Sequence, residues 1–186
     1  MNKKYGLFIF FLIIIISGYA NIFYIDGSYS LTNSSTIDTT DNSFYNEKYD
    51  YISLKGSYLF KTEDTDEIMY GPYFGINYII QEPNTFIKIK NPDFSDFSFS
   101  FGLNIMYNTT VFKDIKFIIL AYGGVHTEDF LKTYSTEILL KAGLSYRNVY
   151  LNTGFETRYY KYTENNVNHY LTVNYIPVSL GVNFEF

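Results

Sequence analysis

The sequence predicts an all-β fold: an eight-stranded antiparallel up-and-down transmembrane β-barrel, preceded by an N-terminal signal peptide. Three observations predict it. Over residues 176–186, Ile176, Val178, Leu180, Val182, Phe184 and Phe186 alternate with Pro177, Ser179, Gly181, Asn183 and Glu185, so one face of a strand is apolar and the other small or polar. The chain carries 21 Tyr and 18 Phe in 186 residues, with no Trp and four Pro; these aromatics favour strands, and Tyr also favours the membrane–water boundary. The same period-two pattern recurs in eight segments separated by turn-forming residues, and an alternating barrel has an unremarkable mean hydropathy, as this chain does.

The elements follow in order. Lys3 and Lys4 precede an unbroken apolar run over 7–16, and Gly18 and Ala20 supply small residues for cleavage after Ala20. These are the parts of a secretory signal peptide, and the run is shorter than the roughly 20 residues of a spanning helix. The expected organisation is therefore a signal peptide, 1–20, and one barrel domain, 21–186. Without Lys3 and Lys4 the mature chain has twelve basic residues against nineteen acidic ones, a net charge of −7, which disfavours a nucleic-acid partner. Zero cysteines exclude disulfides, thiolate metal sites and a lipid-carrying cysteine.

Strands are predicted over 22–31, 47–60, 68–81, 96–107, 115–125, 134–146, 149–162 and 169–186. The connections 32–46, 82–95, 126–133 and 163–168 fall at one end, and the turns 61–67, 108–114 and 147–148 at the other. Longer connections at one end and shorter at the other is the asymmetry of a membrane barrel. Each strand carries a glycine, and Gly75, Gly143 and Gly181 share a pattern of glycine, apolar, small polar and aromatic residue; a small closed barrel needs such positions for room and curvature.

The fourth strand separates the faces most cleanly. Phe97, Phe99, Phe101, Leu103, Ile105 and Tyr107 point one way; Ser98, Ser100, Gly102, Asn104 and Met106 point the other. Extending that parity places Asp26, Lys55, Lys116, Glu137, Lys141, Glu156, Arg158 and Glu185 on the inner face, four acids and four bases. A barrel of this size is only wide enough for side chains to fill, and buried charges must pair, so the expected role is a structural polar core. The alternative is a narrow, gated ion path through the same residues. Tyr29, Tyr58, Tyr78, Tyr107, Tyr146 and Tyr159 are outward near strand ends, as an aromatic girdle would be.

No chemistry is evident. The two histidines, His126 and His169, lie near expected strand–loop junctions without a Ser/His/acid constellation or metal-ligand spacing, so no catalytic, metal or cofactor site is assigned.

The last strand, with Leu180, Val182, Phe184 and Phe186 on one face, resembles the C-terminal assembly signal of bacterial outer-membrane β-barrel proteins. The whole pattern resembles the small eight-stranded members of that class, such as the OmpA transmembrane domain and OmpX. The resemblance implies an outer-membrane location, lipid around the barrel, delivery by the barrel-assembly machinery and a monomer. It also implies an envelope role, a surface role through 32–46 and 82–95, or at most a narrow pore. Two alternatives stay open: a lipocalin-like soluble barrel with its apolar face around a ligand, and a membrane-boundary enzyme. The latter would resemble the lipid A deacylases, whose His-x-Ser element is missing at His126 and His169.

Overall fold

The computed structural model describes residues 21–38, 49–62, 67–81, 96–127, 135–164 and 167–185. The expected signal peptide, the stretches 39–46 and 82–95 of the expected surface loops, and Phe186 lie outside the described residues. Eight strands, β1 (Asn21–Asp38), β2 (Tyr49–Lys61), β3 (Ile68–Gln81), β4 (Phe97–Phe112), β5 (Ile115–Thr127), β6 (Ser135–Tyr146), β7 (Val149–Glu164) and β8 (Val167–Glu185), form one sheet. Each pairs antiparallel with its sequence neighbour, and β8 pairs with β1, closing a barrel without a free edge.

Following register partners round the wall measures the stagger. Ile25 leads to Gly56, Phe74, Phe101, Val125, Thr136, Tyr159 and Thr172, and then back onto β1 at Thr36. The return point is eleven residues beyond the start, and one of them, Asn33, is the extra residue of a bulge between Thr32 and Ser34. The shear is therefore ten, which for eight strands tilts them by roughly 40°.

Alternation sets the two faces as the sequence requires. Ile52, Leu54, Ile76, Leu103, Ile105, Ile138, Leu140, Leu151, Val178 and Leu180 all point outward and are exposed. Asp26, Lys55, Asn77, Asn104, Lys141, Asn152 and Ser179 point inward and are buried. An apolar exterior on this scale is covered by lipid in a bilayer, where only helices and closed barrels satisfy every backbone group.

Several strands outrun the segments read from sequence. β1 continues through 32–38 because Ser34–Asp38 pair with 170–174 of β8 once the bulge has absorbed Asn33. β4 runs on to Phe112, since Thr109 and Thr110 pair with Phe117 and Lys116. That leaves only Lys113-Asp114 as a turn, matched by Arg147-Asn148 between β6 and β7. Lys113 (φ 44°) and Arg147 (φ 53°) take the left-handed backbone that lets a two-residue turn follow the strand twist. Both turns lie at the end that carries the first residues of β1 and the last of β8.

Candidate functional site in the lumen

The inner rows stack into three layers. At the end bearing the short turns, Ile22, Leu59, Met69, Met106, Ile118 and Tyr150 belong to an apolar cluster. At the opposite end, Tyr49, Tyr51, Ile79, Tyr160, Leu171, Val173 and Tyr175 form a second. Between them six ionisable side chains, Asp26, Lys55, Glu137, Lys141, Glu156 and Arg158, are buried to 1 % exposure or less.

These six form two connected groups. Lys141 Nζ lies 2.8 Å from Asp26 Oδ2. The Tyr24 hydroxyl donates to the same oxygen at 3.3 Å and accepts from Asn152 Nδ2 at 3.1 Å. Higher in the lumen, Lys55 Nζ is 2.9 Å from Glu137 Oε1, which also accepts from the Tyr73 hydroxyl. Arg158 ties three strands together: Nε donates to Glu156 Oε1 at 2.6 Å, and Nη2 lies 3.6 Å from Glu137 Oε2 and 3.4 Å from Asn77 Oδ1. The Tyr51 hydroxyl donates to Glu156 Oε2, and the Arg158 guanidinium lies 3.9 Å from the centre of the Tyr51 ring. Three acids meet three bases, so the layer carries no net charge. Removal from water is offset only where each charge has partners at this range.

Lys116 and Glu185 are not part of this layer. Both have inward parity, but each sits at the open end near the short turns, where Glu185 is 63 % exposed and 3.9 Å from Lys61. With Lys61 and Glu67 they line a polar cup of about 210 Å³ floored by Ile22, Met69 and Tyr150. The expectation of eight buried lumen charges is corrected to six, because parity assigns a face and not a depth. Lys116 is the second residue of β5 and Glu185 the last of β8, so both stand at the rim beside the short turns.

Sequence reasoning also missed the tyrosines that complete the layer. Tyr24, Tyr51, Tyr73 and Tyr122 point inward on the same parities as Asp26, Lys55, Asn77 and Leu120, which was the available signal. Tyr73 and Tyr122 meet edge to face at 5.2 Å, and the Lys55 ammonium lies 5.3 and 5.5 Å from their ring centres. Tyr29, Tyr78, Tyr146 and Tyr159 are exposed on the outer face.

His126 belongs to β5 and is fully buried, facing inward beside the Tyr160 ring at 5.0 Å. Its neighbours in register are Ser100 and Ser135. Among the described residues no three His, Asp or Glu side chains are grouped to hold a metal ion. Leu180 and Phe184 are exposed on the outer row of β8, which also carries Val182; Phe186 lies beyond the described residues.

No protein-family model matches the chain, and no curated protein matches it in sequence. Solved structures match its shape. Neisserial surface protein A (NspA) superposes with a TM-score of 0.53 at 16 % identity, over 90 % of this chain and all of that one. The outer membrane enzyme PagL gives 0.44 at 16 % identity, covering 83 % of this chain and 97 % of that one. Ail, the attachment invasion locus protein of Yersinia pestis, gives 0.41 at 10 % identity, covering 89 % and all of that chain. The fold is that of the small eight-stranded outer-membrane barrels.

Proposed function

We propose that the chain is an integral barrel of the bacterial outer membrane whose lumen is a sealed structural plug, and that it serves the envelope or its surface and not permeation or catalysis. The carrying observation is the six-charge layer, closed by apolar clusters on both sides. An ion crossing it would have to displace Arg158 from Glu156 and Glu137 in a medium where those pairs are held tightly. With the short turns toward the periplasm, the ends of β1, β7 and β8 rise at the cell surface. A surface ligand would meet the protein there, through 32–46 and 82–95. Lipid is the lateral partner, the outer row of β8 is the strand offered to the assembly machinery, and the closed wall is consistent with a monomer.

The lipocalin-like reading requires the apolar rows inside, whereas Leu140, Val178 and Leu180 face out. The enzyme reading places a histidine with a serine and an acid at the membrane boundary; His126 instead faces the lumen and is buried, and the side chain of His169 lies outside the described residues.

Carbonate extraction followed by gels with and without boiling tests the location: the protein stays with membranes and changes mobility on heating. Planar-bilayer recording tests the plug. The intact protein is expected to give no steady current; a current altered by Lys141→Ala or Glu156→Ala would establish the pore instead.

A further inference from the structure

The lipid-facing side of β1–β4 is not uniformly convex. A trough of about 440 Å³ is walled by Phe23, Tyr58, Phe74 and Phe101 over a floor of Gly56 and Pro72. Two local causes make it. Gly56 is outward and has no side chain, although its register neighbours Ile25 and Phe74 are bulky. Pro72 has no N–H to give β2: pairing runs to Ser57–Tyr73 and resumes only at Phe60–Tyr70.

The trough has a direction and a length. It rises from Phe23 by two residues to the level of Ile25, then by three register steps through Gly56 and Phe74 to Phe101. With strand rise, strand spacing and tilt of ordinary size this is about 15 Å of depth, half of a hydrocarbon core of about 30 Å. Its lower end meets the ring cluster Tyr58, Phe60 and Tyr70, whose centroids are 5.2 and 6.3 Å apart, at the short-turn side of the barrel.

We propose that this trough holds one acyl chain of a phospholipid from the periplasmic leaflet. Its depth is that of one leaflet, it opens at that leaflet's aromatic boundary, and it is part of the continuous surface that the bilayer covers. Its ring faces offer dispersion contact to a flexible chain and nothing to a charged group. Bulk lipid would solvate a convex barrel wall with mobile chains; a walled trough retains one.

Native mass spectrometry tests this. The full barrel is reconstituted in nanodiscs of phosphatidylethanolamine and phosphatidylglycerol and released into mild detergent. The wild type is expected to retain one phospholipid. Gly56→Leu fills the floor, where an added Cβ comes within 3.3 Å of the movable Phe23 ring, and should lower the bound fraction about tenfold through lost apolar burial. Gly123→Leu is the control: Gly123 is exposed on β5 with nothing within 4 Å of an added Cβ, and retention should be unchanged. A heat-shift gel shows that each variant is folded; if Gly56→Leu does not fold, Phe101→Ala removes a wall and should lower retention likewise. Equal retention by all variants, equal loss in Gly123→Leu, or a dimer that Gly56→Leu dissociates without change in bound lipid would each overturn the proposal.

Discussion

Glu156 and Glu185 are the same amino acid, on neighbouring strands, with the same inward parity. Glu156 is fully buried at mid-depth, with Arg158 Nε at 2.6 Å and the Tyr51 hydroxyl on its other oxygen. Glu185 stands at the short-turn mouth, 63 % exposed, with Lys61 at 3.9 Å. Depth separates them. At mid-barrel the side chains are shut off from solvent, so a charge without its partner retains its desolvation cost; at the rim, solvent can take the partner's place. The outer face shows the same contrast in another solvent: Leu140 lies halfway along β6, while Val149 sits beside the short turn at the barrel's end. Depth along the barrel axis should therefore rank the effects of substitution on both faces.

The largest effect is expected for Arg158→Ala. It strands Glu156 and weakens the environment of Glu137, and removal of one member of such a buried group costs about 3–5 kcal/mol. Urea unfolding in lipid vesicles, followed by the heat-shift gel, should show the loss. Adding Glu156→Gln in the same chain should restore part of it. A double variant no more stable than Arg158→Ala would mean that the charges are not coupled.

Next is the lipid face. Leu140→Arg places a cation near mid-membrane, at a cost of about 2–4 kcal/mol, whereas Val149→Arg near the boundary should cost about 0–1 kcal/mol. Equal losses at the two positions in the same vesicle assay would break the depth ranking. Tyr51→Phe comes third. It removes the hydroxyl from Glu156 while keeping the ring against Arg158, so about 1–3 kcal/mol is expected for a buried acceptor left short of a donor.

The sequence made the wall legible and left its heights hidden. Residue types delimit β3 at both ends, because Ile68 follows a charged stretch and Gln81 precedes a proline-bearing one. By residue type Asn33-Ser34-Ser35 reads as loop, which ends the predicted first strand at residue 31. The chain instead bulges at Asn33 and continues paired with β8. A bulge reverses parity, and alternation alone cannot announce it: Thr32 and Ser34 would share a face by counting, yet they take partners on opposite faces of β8, Tyr175 and Asn174. The inner charges follow from parity, but parity says nothing of depth: Glu185 closes β8 at the rim, whereas Glu156 lies midway along β7. The tyrosines were ambiguous for a related reason. A residue with an apolar ring and a polar tip suits the bilayer boundary and the edge of a buried charge layer equally well, and this barrel carries it both on its outer face and in its lumen.

The smallest effect is expected at the mouth, where it is also the most discriminating. Glu185→Gln removes one charge from a cup that holds Lys61, Lys116 and Glu67 besides. An exposed pair at 3.9 Å is worth about 0–1 kcal/mol and is screened by salt. The variant should unfold at nearly the wild-type urea concentration, and the small difference should shrink further in 0.5 M salt. Arg158→Ala, measured beside it, should keep its deficit in the same salt, because a sealed layer would keep ions from screening Glu156. If salt erased the Arg158→Ala deficit as well, water and ions would be reaching the middle of the lumen. The charge layer would then be a wet path, and the narrow-pore reading would replace the plug.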